Sequence, residues 1–277
     1  MTVAAEDDVS NVSGSSDLPL LSLRGISKNF GAVQALSGVD LDVPVGQVTA
    51  LVGDNGAGKS TLIKCISGIW GPSSGDIYWS GKHVSIKTPR DADDLGIATV
   101  YQDLALCDNL DIVQNMFLGH EPLRHRLLDE NEMESKAKST LADLSVTTVK
   151  SVRQLVESLS GGQRQSVAVA RAVMRDAKLV IMDEPTAALG VSQTAQVLAL
   201  IRRLADRGIA VIVISHNLND VFSVADRLAV MYLGRLVHTG PIAEYTPQSA
   251  VEIITTGTYV ASDSQSGSNS ERPETAS

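Results

Sequence analysis

Residues 53–60 read Gly-Asp-Asn-Gly-Ala-Gly-Lys-Ser and match the pattern G-x-x-x-x-G-K-[ST]. An apolar run at 47–52 precedes this segment and a helical pattern opens at Thr61, which is the strand, loop and helix order in which the pattern binds phosphate. Glycines let the loop curl so that its N–H groups point at phosphate oxygens, while Lys59 reaches the β and γ phosphates and the Ser60 hydroxyl ligates Mg²⁺. The candidate phosphate-binding residues are Gly53, Asp54, Asn55, Gly56, Ala57, Gly58, Lys59, Ser60 and Thr61. The sequence therefore predicts a nucleotide-binding chain.

Composition limits the kind of protein that carries this loop. The 277 residues are 43% hydrophobic, which is ample for a large buried core. Lys and Arg number 23 against 32 Asp and Glu, a formal charge of −9 that disfavours general binding to nucleic acid or anionic lipid. The apolar runs fall short of the roughly 20 residues that span a bilayer. Two cysteines, Cys65 and Cys107, are too few for a disulfide framework and favour an intracellular setting in which both are buried thiols.

The alternation of short β-branched runs with helical patterns predicts an α/β fold with a mainly parallel sheet. Nearly continuous apolar runs typical of buried parallel strands lie at 47–52, 97–101, 179–182 and 209–215. Alternating apolar and polar residues at 20–25, 37–43 and 229–238 predict antiparallel strands with one solvated face. Because a site in such a fold lies at the carboxyl ends of the parallel strands, we expect functional residues there.

One folded body with a helical insert is the predicted domain organisation. Residues 1–17 and 261–277 are polar and are predicted to be a disordered leader and tail, leaving one domain at 18–260. Within it, the segment 103–178 is predicted to be an inserted helical subdomain. Its helical spacing is carried by Met133, Ala137, Leu141 and Leu144.

Two acids follow the apolar run at 179–182, namely Asp183 and Glu184. Acids often end buried strands as solvated caps. Beside a phosphate loop, however, such a pair serves Mg²⁺-assisted hydrolysis, so we predict that Asp183 holds the metal and that Glu184 is the general base.

A second phosphate-binding helix start is predicted at Leu159-Ser160-Gly161-Gly162-Gln163, which precedes a helical pattern. A phosphate loop alone leaves kinases, GTPases, helicases and transport ATPases open. Since one nucleotide needs only one such loop, we infer that this second segment faces the γ-phosphate of a nucleotide held by another subunit. The sequence thus predicts a composite, dimeric ATP site in which Ser160, Gly161, Gly162 and Gln163 contact nucleotide.

With these motifs the chain resembles the ATP-binding subunits of ABC transporters, and the likeness covers residues 18–259. The resemblance implies a P-loop NTPase fold of ABC type, with a mainly parallel core sheet, an antiparallel β subdomain and an inserted α-helical subdomain. It further implies that Gln102 contacts Mg²⁺ and the attacking water, that His216 contacts the γ-phosphate and keeps Glu184 in register, and that Phe30 stacks on adenine. For Phe30 an ordinary core phenylalanine is the alternative.

One position departs from the family pattern. After Asp183-Glu184-Pro185-Thr186, the loop that commonly ends in aspartate ends here in Gly190. This departure bears on the coupling between the two ATP sites. The sequence Thr-Ala-Ala-Leu-Gly at 186–190 and the sequence Asn-Met-Phe-Leu-Gly at 115–119 resemble those of one subgroup of the family. That subgroup is the ATPases of bacterial sugar importers of the ribose, xylose and fructose type.

The resemblance implies an ATPase that uses ATP and Mg²⁺ to power sugar import. Because the chain has one phosphate loop, it needs a second ATPase subunit, for which a homodimer is simplest and a heterodimer is an alternative. Its other implied partners are membrane permease subunits, gripped at about 103–118, and indirectly a sugar-binding protein, with no nucleic acid. The implied location is the cytoplasmic side of the membrane, held peripherally by the permease. A soluble ABC ATPase acting on ribosomes or DNA, a kinase or sensor, and a different cargo are the alternatives.

Overall fold

A computed structural model describes residues 18–258. Its strands are β1 (Leu21–Phe30), β2 (Val33–Val43), β3 (Val48–Gly53), β4 (Ser74–Trp79), β5 (Lys82–Val84), β6 (Ile97–Val100), β7 (Leu123–Arg124), β8 (Leu127–Leu128), β9 (Leu179–Asp183), β10 (Ala210–Ile214), β11 (Arg227–Tyr232) and β12 (Arg235–Pro241). Its α-helices are α1 (Lys59–Ile66), α2 (Pro89–Leu95), α3 (Ile112–Phe117), α4 (Glu130–Asp143), α5 (Gly161–Val173), α6 (Val191–Asp206), α7 (Leu218–Val224) and α8 (Pro247–Thr256). The predicted leader and the tail at 261–277 lie outside the described residues.

The main sheet has six strands in the order β12-β11-β3-β10-β9-β6. All neighbouring pairs are parallel except β11 with β12. The four apolar runs predicted as parallel strands form β3, β6, β9 and β10, so that prediction is confirmed. Their carboxyl ends meet at one edge, which is where the phosphate loop and the paired acids emerge.

Alternate residues of the central strand β3 face opposite sides of this sheet and join two separate hydrophobic clusters. Val48, Ala50 and Val52 pack with the helices α3 to α8 on one side. Leu51 packs with α1 and with the antiparallel sheet on the other side. The main sheet is therefore buried on both faces, which explains its continuous apolar runs.

A second sheet, in the order β2-β1-β4-β5, is antiparallel throughout. Its first two strands confirm the predictions at 20–25 and 37–43. At 229–238 the predicted antiparallel pairing is confirmed between β11 and β12, which a turn at Leu233 and Gly234 separates. The predicted solvated face is wrong for β11. Strand β11 pairs in parallel with β3, since its residues 228–231 are all buried and require cover on both faces.

The segment between β6 and β9 carries helices α3, α4 and α5 and a short hairpin formed by β7 and β8. The predicted helical spacing is confirmed in α4, where Met133, Ala137 and Leu141 are buried, as is Leu144 just beyond its end. The domain boundaries at 18–260 and 103–178 stay predictions. Cys65 is a buried free thiol and Cys107 is a partly buried one.

Within residues 18–258, the helices are too short or too polar for any of them to cross a membrane.

Candidate nucleotide-binding site

The phosphate loop joins β3 to α1 and depends on glycine at its two ends. Gly53 has φ 152° and Gly58 has φ 101°, backbone conformations that residues with a side chain rarely adopt. A Cβ atom at Gly53 would collide with the carbonyl oxygen of Met231, and one at Gly58 would lie 3.0 Å from the carbonyl oxygen of Ala35. Because Gly58 precedes α1 and has no side chain to cap it, the first N–H groups of the helix are free of a side-chain cap.

Lys59 folds back over this loop. Its Nζ donates hydrogen bonds to the carbonyl oxygens of Gly53 at 2.7 Å and Asp54 at 3.0 Å. Burial lowers the pKa of Lys59, while the negative charges of Glu184, Asp54 and Asp183 oppose that shift. The ammonium group is therefore positioned between the loop and the paired acids, where a phosphate would meet it.

Asp183 is the last residue of β9, and Glu184 follows it in an unusual backbone conformation. Glu184 has φ 50°, which is rare for a residue other than glycine. Its N–H donates to the carbonyl oxygen of Ile214 in the neighbouring strand β10 at 2.9 Å, which fixes the turn. Burial raises the pKa of Asp183, and the adjacent charge of Glu184 raises it further, with Lys59 partly opposing both.

His216 faces Glu184 from the end of β10. Its Nδ1 lies 2.8 Å from Oε2 of Glu184. The histidine side chain is 76% exposed and the glutamate side chain 17% exposed, so the pair joins a partly buried carboxylate to a ring at the surface. Asn217, the next residue, caps α7 and donates its N–H to the Ser215 hydroxyl at 3.0 Å, which anchors the loop that carries the histidine.

A cavity of about 920 Å³ collects these groups. The predicted residues that line it are Gly53, Asp54, Asn55, Gly56, Ala57, Gly58, Lys59, Ser60, Thr61, Gln102, Asp183, Glu184 and His216. Gln102 reaches it from just beyond β6, whereas the acids and the histidine come from β9 and β10. The cavity thus unites segments far apart in sequence because their strands are neighbours in one parallel sheet.

Five of the predicted nucleotide-binding residues lie outside the set of described residues that line this cavity, namely Phe30 and the four residues at 160–163. Phe30 packs edge-on against Trp70, with ring centroids 4.8 Å apart, and Lys28 Nζ lies 5.3 Å from the centroid of its ring. In the second segment, Ser160 caps α5, accepting from the Gln163 N–H at 3.3 Å while the Gln163 side chain accepts from the Ser160 N–H at 2.9 Å. One chain alone therefore does not bring this segment to its own phosphate loop.

Sequence reasoning missed seven further residues that line the cavity, namely Val33, Gln34, Ala35, Ala187, Ile214, Leu233 and Gly234. Most of them are small or apolar and carry no recognisable motif. The strand order accounts for Leu233 and Gly234, since they follow β11, which neighbours the phosphate-loop strand β3. The position of the turn at Leu233 could be inferred only after β11 and β12 were known to be separate strands.

The loop after the paired acids contacts the segment at 160–163 within one chain. Thr186 Oγ1 donates to Asp220 Oδ2 at 2.7 Å, which ties the loop to α7. A Cβ atom at Gly161 would lie 2.7 Å from a methyl group of Leu189, so the loop lies directly against the start of α5. Gly190 precedes α6 and supplies no side chain to cap it.

Comparison with known proteins finds a family and several relatives whose sequences are similar to this chain. Residues 36–187 match the family described as ABC transporter. The fructose import ATP-binding protein of Rhizobium meliloti is 46% identical over 86% of this chain and 94% of that protein, and the xylose/arabinose import ATP-binding protein of Sulfolobus acidocaldarius is 45% identical over 85% and 94%. A ribose import ATP-binding protein of Rubrobacter xylanophilus is 41% identical over 85% of this chain, which spans about half of it.

Solved structures of ATP-binding cassettes from ABC transporters have a fold similar to that of this chain. A nucleotide-free ATP-binding cassette from an ABC transporter has a TM-score of 0.73 and 29% identity, covering 81% of this chain and 92% of that one. The ADP conformation of another ATP-binding cassette has a TM-score of 0.74 and 28% identity, covering 86% and 96%.

Proposed function

The chain belongs to the ABC transporter family, and from that premise we propose that it is an ATP-hydrolysing subunit that powers import of a sugar. The observation that carries the proposal is the single cavity in which the phosphate loop, two acids, a glutamine and a histidine converge. Each group has a distinct task in phosphoryl transfer, which depends on positioning and on charge stabilisation rather than on covalent chemistry.

In this proposal the loop N–H groups and Lys59 hold the phosphates of ATP. The lysine already donates to two loop carbonyl oxygens at 2.7 and 3.0 Å. Bound phosphate would take over these hydrogen bonds, because an anionic oxygen attracts the ammonium group more strongly than a neutral carbonyl oxygen does. Nucleotide binding would therefore draw Lys59 away from the loop and toward the ligand.

The residues present fit a Mg²⁺ ion that arrives with the nucleotide. Ser60, Gln102 and Asp183 offer oxygen ligands in one cavity, and the raised pKa of Asp183 reflects a buried carboxylate beside a second one. Residues 18–258 hold no cluster of three metal-binding His, Cys, Asp or Glu side chains, which suits an ion held by one carboxylate, a hydroxyl and substrate phosphates. When bound, Mg²⁺ would neutralise charge that develops on the phosphates.

Glu184 is the proposed general base, and it would take a proton from the attacking water. Its carboxylate is held by His216 at 2.8 Å, and its backbone by Ile214 at 2.9 Å. His216 therefore acts on the carboxylate from the exposed side, where it would also meet the γ-phosphate. Gln102 would orient the water from the third side of the cavity.

A second subunit completes the proposed site. The segment at 160–163 lies away from the cavity of its own chain, and Ser160 and Gly161 are exposed. Two chains joined head to tail would place each segment over the other's nucleotide, so that the γ-phosphate links them. We infer a homodimer, because one chain supplies every expected group. Loss of the γ-phosphate would remove that link and open the dimer.

Opening and closing would drive permease subunits that hold this chain at the cytoplasmic face of the membrane. Arg171 of α5 donates to the carbonyl oxygens of Ala105 at 3.1 Å and Leu104 at 3.2 Å. The segment 103–118 is thereby tied to α5, the helix that Ser160 caps. Movement of the composite site would therefore be transmitted to a permease bound at this segment. Sugar as the cargo, and a sugar-binding protein as an indirect partner, are supported by the names of the relatives.

Reconstitution with a candidate permease and a candidate sugar-binding protein tests this function. Vesicles that contain the complete set should accumulate a pentose or fructose only when ATP is supplied to the side that carries this chain. Replacing the chain with its Lys59→Ala variant should stop uptake. Hydrolysis without any sugar uptake, across a panel of pentoses and hexoses, would refute sugar import while leaving the ATPase intact.

A further inference from the structure

A second cavity, of about 310 Å³, has none of its described lining residues in common with the nucleotide cavity. Three segments line it, namely the loop at 145–148 that follows α4, the helix α5 and one face of α6. We call it the α5–α6 cavity. Its volume lies at the lower end of the range of about 300–1,000 Å³ that small-molecule sites occupy, so it suits a small ligand. Its described lining residues are Ser145, Val146, Thr147, Thr148, Ser166, Ala195, Gln196, Ala199 and Arg203.

The sequence of α6 makes room for this cavity. Ala195, Ala199 and Arg203 are four residues apart, so they lie on one face of the helix. The two alanines are exposed and carry only a methyl group, which leaves space along two turns of the helix. That small-residue face ends at the guanidinium group of Arg203.

Arg203 brings to the α5–α6 cavity a positive charge that no described lining residue balances. Its Nε is buried and has no hydrogen-bond partner in the part of the chain that the structure describes. The preceding residue differs, since Arg202 pairs with Asp206 at 3.1 Å and with Asp226 at 2.9 Å. A buried donor without a partner lowers stability, and an anion supplies both the missing acceptor and the countercharge.

The other groups around Arg203 favour phosphate as that anion. The loop at 145–148 carries three hydroxyl groups and Gln196 carries an amide, all of which can donate hydrogen bonds. A phosphate group has three acceptor oxygens and up to two negative charges, whereas a carboxylate has two oxygens and one charge. Val146 and the two alanines are apolar, so there is also a surface for the carbon skeleton of a phosphate ester.

Two hydrogen bonds join the walls of the α5–α6 cavity to the segment at 160–163. Gln163 Nε2 donates to the carbonyl oxygen of Thr148 at 2.6 Å, and the Gln163 side chain also accepts from the Ser160 N–H. Ser166 Oγ donates to the carbonyl oxygen of Gly162 at 2.8 Å. A ligand that orders the loop at 145–148 would therefore also restrain the segment proposed to cover the partner's nucleotide.

We propose that the α5–α6 cavity binds the phosphate group of a small molecule, and that this binding is coupled to the ATP site through the segment at 160–163. The binding is independent of the proposed function, whereas the coupling rests on it. The phosphate group is carried by an ester or is free inorganic phosphate, and the two sources differ in the carbon skeleton that the apolar wall would contact.

Calorimetry on the full chain saturated with ADP and Mg²⁺ tests the binding, because ADP would occupy the phosphate loop. The probes are ribose phosphorylated at its primary hydroxyl, inorganic phosphate and ribose. At least one phosphate probe should bind to the original chain, and ribose should not. Tighter binding of the ribose phosphate identifies an ester as the ligand, and equal affinities identify free phosphate. Arg203→Gln should weaken binding of the phosphate probe by about 10- to 100-fold, because a charged donor is lost.

Two further variants act as controls. Ala199→Glu introduces a carboxylate one turn before Arg203, where the pair of charges stabilises the helix, so binding should be lost without a fall in the melting temperature. Arg124→Gln makes the same change as Arg203→Gln at an exposed position in β7, outside the described lining residues, and should bind like the original chain. Failure of both phosphate probes to bind, or equal affinity in Arg203→Gln and the original chain, would overturn the inference.

ATP hydrolysis tests the coupling. The tighter-binding phosphate probe should change the ATP concentration for half-maximal hydrolysis by at least about twofold in the original chain, and should have no effect on Arg203→Gln. An unchanged value in the original chain, or an equal change in Arg203→Gln, would overturn the coupling. A chain that hydrolyses no ATP without the probe would overturn the proposed function, and the calorimetric result would still decide the binding.

Discussion

Replacing Glu184 with glutamine should stop ATP hydrolysis while leaving ATP binding intact. The change preserves the size of the side chain and its reach, but an amide cannot accept a proton from water. Glu184 is held in place at two points, by His216 Nδ1 at 2.8 Å and through its N–H by Ile214 at 2.9 Å. Glutamine can occupy the same position, so the loss should be chemical rather than structural.

The expected loss follows from the role of a general base. Such a group contributes about 10²- to 10⁴-fold in rate, equal to about 3–6 kcal/mol of activation free energy at about 1.4 kcal/mol per tenfold. Binding should not weaken, because the charge of Glu184 raises the pKa of Asp183 and so opposes a second negative group in the cavity. Removing that charge leaves one carboxylate fewer to repel the phosphates of ATP.

Phosphate release at saturating ATP gives the rate, and calorimetry gives the affinity. Glu132→Gln supplies the matched control, since it makes the same chemical change at an exposed position in the first turn of α4 and should leave both quantities unchanged. A Glu184→Gln variant that hydrolyses ATP within about threefold of the original rate would refute the assignment of the base, as would an equal loss of rate in Glu132→Gln.

Three further changes test other parts of the structure. Lys59→Ala removes a charged donor and should weaken ATP binding by about 10- to 100-fold in calorimetry; binding within about twofold would contradict its role. Gly190→Asp adds a cap to α6 where a Cβ atom meets open space, and should raise the melting temperature by about 1 °C, because glycine is only a few tenths of a kcal/mol worse than aspartate at a cap; a lower value counts against the cap. Asp226→Ala removes the carboxylate that accepts hydrogen bonds from the Val48 N–H at 2.8 Å and from Arg202 at 2.9 Å. The free energy of unfolding, measured by urea titration, should fall by about 1–2 kcal/mol. An unchanged value would show that water replaces both hydrogen bonds.

The parts of the fold that are specified locally could be predicted from the sequence. The phosphate loop is contiguous, and its flanking strand and helix follow it directly in the chain, so its placement between β3 and α1 needed no tertiary information. The same holds for the buried parallel strands, whose continuous apolar runs reflect cover on both faces. The convergence of Gln102 and His216 on Asp183 was implied only by the family resemblance, and the order of the parallel strands in the structure accounts for it.

Features set by contacts between distant segments could not be predicted. The turn at Leu233 and Gly234 lacks the asparagine or aspartate that usually marks a hairpin, so two strands read as one. The direction of the Phe30 ring depends on Trp70, which joins it only in the folded chain. The role of Val33 in the cavity likewise appears only once β2 lies beside the turn between β11 and β12, since exposed valines in strands are common.

The central claim is that each ATP site is shared between two chains, and mixing two inactive variants tests it most directly. Lys59→Ala disables the phosphate loop, and Ser160→Arg blocks the segment that would cover the partner's nucleotide from an exposed position. Each variant alone should hydrolyse almost no ATP. An equal mixture should recover about a quarter of the original activity, because about half of the dimers are mixed and each mixed dimer has one of its two sites intact. A mixture that stays inactive, although the two variants form mixed dimers, would contradict the shared site.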